Sequence, residues 1–246
     1  MLVDTGSREA SVHACHHRRS ENGCEDCKVR LISVCSTLAL SELEEMEALS
    51  QHLSLDKGHA LFAQDEPANA VFNVIEGSLR LSRLLPDGRR QVMGFALPGD
   101  FLGLALQERH SVSAEALTAV KTCRFERRDF TSVVEAKPHL LRSLHERAGY
   151  ELTLAQDQML LLGRRTAQEK VAAFLLGLRE RYARTGHASV TVELPMGRQD
   201  MADYLGLTIE TVSRMLTRLD RAHAILLVPG GARLLDVPRL EDLAAN

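Results

Sequence analysis

Four cysteines have the residue type and the spacing of a metal site. Cys24, Cys27 and Cys35 follow one another with two and seven residues between them, and Cys123 stands alone much further along the chain. Thiolates are the usual ligands of iron–sulfur clusters, and four of them complete a 4Fe–4S or 2Fe–2S site. Three clustered ligands and one distant ligand would tie an N-terminal arm to the body of the protein, so loss of the metal would release that contact.

Zinc could use the same thiolates. A structural zinc knuckle takes cysteine sulfurs and could recruit His16 or His17 from the arm. Cys123, in the strand-like segment 120–125, could also be a small buried apolar residue. The residues alone therefore leave the cluster and the zinc site evenly matched.

A fifth cysteine, Cys15, lies in the sequence His13-Ala14-Cys15-His16-His17. It could replace Cys24 as a ligand or bind adventitious metal, but a cysteine in a mobile tail needs no role, and we expect none. The number of cysteines is odd, and four of them fall within the first 35 residues. This pattern argues against a secreted disulfide framework and favours reduced thiols in a cytoplasm.

A second group of residues, between positions 198 and 222, is arranged like a DNA reader. A short helix would end at Gly206, which supplies a turn, and Thr208 would cap the next helix. A short helix, a glycine turn and a capped helix are what a major-groove reader requires. The buried faces of the two helices would be formed by Met201, Ala202 and Leu205 and by Ile209, Val212, Leu216 and Leu219.

The outer face of the second helix carries side chains that can contact bases and phosphates. Arg214 can pair with guanine O6 and N7, and Glu210 can accept a hydrogen bond from cytosine N4. Ser213 can reach a base edge or a phosphate, while Arg218 lies further along, toward the DNA backbone. Residues 196–223 hold four arginines against three aspartates and one glutamate, so affinity cannot rest on bulk charge. The plainer alternative is a solvated helix face with ordinary ion pairs.

The composition is that of an ordinary globular chain. Of its 246 residues, 45% are hydrophobic and 26% charged, which suits one large domain or two small ones. The net charge of −3 creates no global basic field for nucleic acid. The apolar runs are too short for a membrane span, and the polar start lacks the apolar stretch of a signal peptide. We therefore expect a cytoplasmic protein.

Four segments position these residues in a predicted α+β fold. Residues 1–36 form a cysteine-rich N-terminal arm, 37–140 a β-roll sensor domain, 141–165 a dimerisation helix and 166–246 a winged helix-turn-helix domain. Residues 55–130 show short strands broken by turns at about ten-residue intervals, which favours an antiparallel β-roll. Leu79 and Leu81 alternate with Ser78, Arg80 and Ser82, the pattern of a half-buried strand.

The long helix carries a narrow apolar stripe at steps of three and four residues, nearly that of a coiled coil. We favour a homodimer seam, because Ala155 at its centre would let two helices approach closely. Packing on the helix's own domain is the alternative, and Leu154, Leu160 and Leu161 favour it. The predicted seam consists of Leu144, Ala148, Leu152, Ala155, Met159 and Leu162.

The remaining C-terminal elements follow from local signals. A capping box at Thr166 and Glu169 begins the next helix, and Gly186 ends it. Its predicted buried face is Val171, Phe174, Leu175, Leu178 and Tyr182. Residues 189–194 alternate like a strand, and residues 225–228 and 233–237 predict the hairpin of a wing.

The segment from Gly206 to Arg214, after a β-roll and a long helix, resembles the Crp/Fnr family of bacterial transcription regulators. The resemblance extends from about Cys24 over nearly the whole chain and includes Pro86-Asp87-Gly88-Arg89-Arg90-Gln91. Glu210, Ser213 and Arg214 match the Glu-x-x-Ser-Arg pattern of the Fnr and FixK branch. The resemblance implies that these three residues read the TTGAT half-sites of a palindrome and that RNA polymerase is a partner.

Cyclic-nucleotide binders of this family share a Glu after a Phe-x-Gly turn and an Arg-Ser or Arg-Thr pair for the phosphate. Here Leu104 follows Phe101-Leu102-Gly103, and the pair falls near Ser113 and Ala114. A phosphodiester buried without a cationic partner would be costly, so we expect no cyclic AMP binding.

The cysteines resemble those of the oxygen-sensing Fnr branch, in which an N-terminal group and one β-roll cysteine hold an oxygen-labile 4Fe–4S cluster. The seven-residue spacing is similar to the alphaproteobacterial FnrL, FnrN and AadR variants. The resemblance implies one such cluster per chain on Cys24, Cys27, Cys35 and Cys123, and a homodimer that controls anaerobic or microaerobic genes. Zinc or free thiols, with another signal, remain the alternative. No catalytic arrangement can be singled out, so we expect no enzyme activity.

Overall fold

The computed structural model describes residues 23–104, 107–186 and 189–245. Its N-terminal half contains eight strands in two four-stranded antiparallel sheets, in the orders β1-β8-β3-β6 and β2-β7-β4-β5. The predicted antiparallel β-roll is confirmed. The strands are β1 Ser50–Leu55, β2 Ala60–Phe62, β3 Ala70–Glu76, β4 Leu79–Leu84, β5 Arg90–Ala96, β6 Phe101–Leu102, β7 Ser113–Ala116 and β8 Val120–Glu126.

The turn between β3 and β4 requires glycine. Gly77 has φ +83°, and a Cβ at this position would lie 2.1 Å from the carbonyl oxygen of Ala119. Only glycine satisfies both the positive φ and the close approach of the neighbouring chain. This turn leads the chain from β3 in one sheet to β4 in the other.

Two helices flank the strands within residues 37–140, and the second of them corrects the predicted strand region of residues 55–130. Helix α1, Leu40–Leu49, precedes the first strand, and α2, Arg127–Ala136, begins directly after β8. The strand pattern thus ends at Glu126 and not at Phe130. Phe130, Val133 and Val134 lie three and four residues apart, so one face of α2 is buried. In the described part of the arm, the chain forms three short 3₁₀ turns at Cys24–Asp26, Arg30–Ile32 and Val34–Thr37.

Two helices join the β-roll to the C-terminal half. Helix α3, Pro138–Arg164, begins three residues before the predicted dimerisation helix of residues 141–165 and ends one residue before its end, and α4 is Ala167–Arg184. The capping box forms as predicted, because the Thr166 amide donates to Glu169 Oε2 at 3.0 Å and the Glu169 amide donates to Thr166 Oγ1 at 3.5 Å. The predicted face of α4 is buried except at Tyr182, which is half-buried.

The C-terminal elements form a winged helix-turn-helix, as predicted. Its elements are β9 Thr191–Glu193, α5 Arg198–Leu205, α6 Ile209–Arg221, β10 Ile225–Val228, β11 Gly231–Leu234 and α7 Val237–Ala245. The second wing strand ends at Leu234, so the predicted strand over 233–237 is wrong at its end. Asp236 accepts the Arg239 amide at 3.1 Å and so starts α7, which the sequence interpretation missed.

The two halves of the chain share a continuous core. Phe95 of β5 packs against Phe174 of α4 and Tyr204 of α5, with ring centroids 6.1 Å and 5.4 Å apart. The half-buried prediction for β4 is wrong, because Ser78, Arg80 and Ser82 are also buried, and Arg80 bonds to Asp200 of α5. None of the described helices is long and apolar enough to cross a membrane.

Candidate metal centre and nucleic-acid interface

The arm lays its cysteines against the sheet that contains Cys123. Cys35 and Cys123 are buried in one apolar cluster, and Cys24 packs against its edge. Around them lie three stacked or tilted rings, those of Phe101, Phe125 and Phe130. The structure therefore brings the predicted N-terminal ligands and the distant β-roll cysteine to the same side of one sheet, whereas Cys15 and its neighbouring histidines lie outside the described residues.

The pKa values of the cysteine thiols depend on their burial and on one another. Burial, together with the nearby Cys35, Glu47 and Cys27, raises the pKa of Cys24 to about 12. Burial also raises the pKa of Cys123, with further contributions from Cys24, Cys27 and Cys35. Without a cation, these thiols stay protonated at neutral pH, and a bound metal would displace their protons. In the described segments, no group of three or more Cys, His, Asp or Glu residues is arranged to hold a single metal ion.

Polar contacts fasten the arm, and these residues had not been singled out in the sequence. The Cys24 amide donates to Glu47 Oε2 of α1 at 3.0 Å. Lys28 pairs with Glu76 of β3 at 2.6 Å. Arg147 of α3 donates from Nη2 to the carbonyl oxygens of Ile32 at 3.1 Å and of Gly99 at 2.6 Å. A guanidinium that bonds backbone carbonyls leaves no local sequence pattern, so only the fold reveals this link between the arm and α3.

The positions that would hold a cyclic nucleotide in this type of β-roll are otherwise engaged. Leu104 packs against the cysteine cluster. The Ser113 hydroxyl accepts the Gln64 amide at 2.9 Å, and Ala114 is fully buried. These three side chains offer no cation to a phosphate.

The turn between α5 and α6 forms as the sequence predicts. Gly206 adopts φ 62° and ψ 43°, the left-handed conformation that glycine tolerates best. Thr208 caps α6 by accepting the Thr211 amide at 3.2 Å. Ile209 is wrongly predicted as buried, because it is 37% exposed at the start of the helix. Met215, which was not predicted, joins Val212, Leu216 and Leu219 in the core.

The outer face of α6 presents its predicted base-reading side chains together. Glu210, Ser213, Arg214 and Arg218 are all exposed on one surface of the helix. Hydrogen bonds from its own backbone amide and from the Thr208 side chain lower the pKa of Glu210, so this carboxylate is ionised and can accept a hydrogen bond. Among the residues that the structure describes, Arg214 makes one side-chain hydrogen bond, of 3.5 Å from Nη2 to Thr211 Oγ1. Its guanidinium therefore has free donors for a guanine edge.

Asp220 connects the recognition helix to the wing. Its Oδ1 accepts the Leu227 amide at 2.9 Å. This contact fixes the start of the hairpin relative to the end of α6. The residue was not singled out in the sequence, since an Asp on a helix gives no sign of its distant partner.

The predicted dimer seam lies on α3 as an open stripe. Leu152 and Met159 are 59% and 69% exposed, and Ala148, Ala155 and Leu162 are also exposed. Leu144 differs from them, because it is half-buried against the cysteine cluster. Leu161, on the other side of the helix, is buried in the core that contains the DNA-binding elements. The helix thus packs on its own chain through one face and leaves the predicted seam uncovered in the single chain.

Known protein families match both halves of the chain. Residues 52–137 match the family model of the cyclic nucleotide-binding domain, and residues 169–243 match that of the Crp-like helix-turn-helix domain. The nitrogen fixation regulation protein FixK of Bradyrhizobium diazoefficiens is 53% identical over 90% of this chain and 94% of its own length. The transcriptional activatory protein AadR of Rhodopseudomonas palustris is 53% identical over 90% of this chain and 93% of its own length.

A solved structure and a third relative agree with this assignment. The structure of FixK2 from Bradyrhizobium japonicum superposes with a TM-score of 0.74 at 37% identity, covering 80% of this chain and 98% of that one. The transcriptional activator protein FnrL of Cereibacter sphaeroides is 36% identical over 83% of this chain and 84% of its own length. These relatives are transcription regulators and not enzymes, in agreement with the prediction.

Proposed function

The chain belongs to the Crp/Fnr family of DNA-binding transcription regulators, and on this basis we propose that it responds to oxygen through a 4Fe–4S cluster held by Cys24, Cys27, Cys35 and Cys123. The observation that carries the proposal is the position of the arm, which lays three cysteines over the strand that contains the fourth. Anaerobic or microaerobic genes would be its targets.

The donor set is compatible with such a cluster. Four thiolates are its usual ligands, and the apolar surroundings limit water access to the sulfurs. A bound cluster would supply an oxygen-labile redox centre. Cys24, Cys27 and Cys35 would hold the arm, and Cys123 would fix it to β8. Loss of the cluster would remove the bridge that its four iron–thiolate bonds make between arm and sheet, and would leave the polar contacts of Lys28 and Arg147 and the apolar packing of Val34.

The arm can influence dimerisation because it contacts α3. Leu140 is fully buried in the cysteine cluster, and Arg147 bonds to the Ile32 carbonyl between the second and third ligands. A cluster shifts the equilibrium only if it binds the DNA-competent arrangement of α3 better than the other arrangement. We propose that the competent arrangement is the homodimer formed by the stripe from Leu144 to Leu162.

The dimer would read a TTGAT-type palindrome. Arg214 would pair with a guanine, Glu210 would accept from a cytosine, and Ser213 would contact a base edge or phosphate. Arg218 would contact the DNA backbone. Two recognition helices would occupy successive major grooves about one helical turn apart. RNA polymerase is a further proposed partner, and cyclic AMP is not a proposed ligand because Leu104, Ser113 and Ala114 provide no cation.

Metal analysis of anaerobically purified protein tests the sensor. We expect about four iron and four sulfide per chain, with a visible spectrum that bleaches in air. Cys123→Ser is expected to lose the cluster, and Cys15→Ser, the matched control in the arm, to retain it. Zinc without sulfide, or no metal at all, would refute the sensor and leave a DNA-binding regulator with a different signal.

Gel filtration of the metal-free protein tests the coupling. A charge at the centre of the seam would repel its copy in a dimer, but Ala155 carries none, so we expect dimerisation to depend only weakly on oxygen. Some dimer should persist at micromolar concentration without the cluster, and Leu152→Asp should abolish it. Elution of the metal-free protein wholly as a monomer would contradict this expectation.

A further inference from the structure

A buried lysine lies between the end of α3 and the end of α5. Lys170 of α4 is 7% exposed, and its Nζ donates to the carbonyl oxygens of Leu162 and Leu205, each at 3.2 Å. Lysine is almost never buried without partners, because the ammonium loses its hydration. The two carbonyl oxygens replace water here, so the buried charge depends on both helix ends.

Both carbonyl groups stand where a helix leaves them unused. The last four carbonyls of a helix have no partner within it, and this end of the helix carries partial negative charge. Leu162 lies in the last turn of α3, which ends at Arg164, and Leu205 is the last residue of α5. A cation is favoured at both places, whereas it is disfavoured near the start of its own helix α4. The ammonium therefore stabilises the arrangement in which α3 and α5 end side by side.

Two further contacts join the same elements. Gln158 Nε2 of α3 donates to the Tyr204 carbonyl of α5 at 2.8 Å. A Cβ at Gly206 would lie 3.3 Å from Leu162 Cδ2, so the end of α3 also lies against the turn between α5 and α6. Leu162 belongs to the predicted dimer seam, and the recognition helix α6 starts three residues after Gly206. The seam and the recognition helix are thus connected through this small group of contacts.

We infer that Lys170 is a positioning residue that sets the separation of the two recognition helices in the homodimer, and thereby the spacing of the half-sites that the dimer accepts. The inference rests on the proposed function, because it needs two copies paired along α3 and a palindrome. The seam fixes one α3 against the other. Lys170 then fixes each α6 to its own α3 through the end of α5, and because it is buried it acts without touching DNA.

The spacing of half-sites is a sensitive measure of this role because DNA is helical. One turn takes about 10–10.5 base pairs and about 34–36 Å, so one base pair more or less moves a half-site by about 3.4 Å and turns it by about 34–36°. Two recognition helices at a fixed separation cannot both follow such a change. Hydrogen bonds from a charged group are strong, and each favours the arrangement that forms it by a factor of about ten or more.

Competition binding with the full chain, purified without oxygen, tests the inference. The probes are duplexes with two inverted TTGAT half-sites whose centres lie between about 8 and 12 base pairs apart, around one helical turn. For the parent protein, we expect the affinity to fall about tenfold or more at one base pair from the preferred separation. In Lys170→Met, which keeps the length of the side chain and removes the charge, the fall should be about threefold or less.

Two control variants separate positioning from a general loss of structure. Lys57→Met makes the same chemical change at an exposed lysine in the turn between β1 and β2, and it should keep the parent profile. Lys170→Arg retains a cation that can donate to both carbonyls, and it should keep the profile too. Replacing the guanine of one half-site should cost the same affinity in every variant. A merely structural role of Lys170 would lower the affinity for all separations alike.

The outcomes distinguish the inference from the proposed function. A sharp optimum in the parent protein and the same sharp optimum in Lys170→Met would overturn the role of Lys170 and leave the proposed function in place. A parent protein that binds all separations alike would overturn the paired reading of a palindrome, and the inference with it. If Lys170→Met does not fold, Lys170→Gln takes its place, because its neutral amide is too short to reach both carbonyls. The same broadened profile is expected from it, and an unchanged profile would again overturn the inference.

Discussion

Replacement of Asp200 by Asn should destabilise the junction between the β-roll and the DNA-binding half. Asp200 of α5 is 7% exposed, and its Oδ1 lies 2.6 Å from Arg80 Nη1 and 2.9 Å from Arg90 Nη2. Removing one partner of a buried ion pair costs about 3–5 kcal/mol, because the other charge is left without compensation. Here each arginine keeps a second carboxylate, Glu115 and Asp203, both at 2.7 Å. We therefore expect the lower end, about 3 kcal/mol.

Thermal unfolding followed by circular dichroism measures this effect. For a chain of this length, about 1 kcal/mol lowers the melting temperature by roughly 2–4 °C, so Asp200→Asn should lower it by roughly 6–12 °C. Asp87→Asn is the matched control, because Asp87 and Arg89 form an exposed ion pair in the hairpin that contains Arg90. That change should cost less than about 1 kcal/mol. Equal melting temperatures for the two variants would refute the view that the buried network holds the two halves together.

Three further predictions concern the core, the turn and the DNA contact. Burial and the nearby Arg127 lower the pKa of His110 below 6.5, so the free energy of unfolding should fall as the pH drops through 6.5. His110→Phe keeps the stacking on Phe62, and thermal unfolding of this variant should show a smaller fall. Parallel pH profiles for the two proteins would contradict this prediction. Gly206→Ala should lower the free energy of unfolding in urea by about 1–2 kcal/mol, because Gly206 has a positive φ. Gly177→Ala, in open space within α4, should raise it by up to about 1 kcal/mol. Equal effects of the two substitutions would refute the conformational argument. In a DNA-binding assay, Arg214→Ala should lose about 1–3 kcal/mol of discrimination at one guanine. Arg218→Ala should weaken binding to all DNA sequences alike. An equal loss of affinity for specific and random DNA in Arg214→Ala would exclude base reading by Arg214.

Local signals predicted the elements whose geometry depends on neighbouring residues. The turn at Gly206 and the cap at Thr208 involve contacts within a few residues, and both formed as expected. The start of α7 was equally local, because Asp236 followed by Pro238 is a start signal, and it was overlooked. Helix α2 was missed for another reason: its apolar residues follow a strand without a break, and the helical period emerges only over ten residues.

Contacts between distant segments could not be predicted. Arg80 fits the polar face of a half-buried strand, and only its partner Asp200 explains why it is buried. Arg147 has no distinguishing pattern in the sequence, and only the fold brings its guanidinium to the carbonyl oxygens of Ile32 and Gly99. The four cysteines were identified because their side-chain chemistry is rare, whereas the carboxylate and guanidinium groups that hold the arm are common on any surface.

Helix α3 is the element that both halves of the molecule share. Near its start it packs on the cysteine cluster through Leu140, and Arg147 bonds it to the arm. Near its end, Gln158 Nε2 donates to the Tyr204 carbonyl of α5 at 2.8 Å, and Leu161 is buried with the DNA-binding elements. Such a helix can couple the metal centre to the DNA-binding half only if it has two arrangements, and only if both ends favour the same one. By linkage, DNA must then stabilise the metal-loaded arm as strongly as the loaded arm favours DNA binding. The affinity for operator DNA should therefore be higher for the loaded protein than for the metal-free protein, and equal affinities would separate the metal centre from the DNA-binding half.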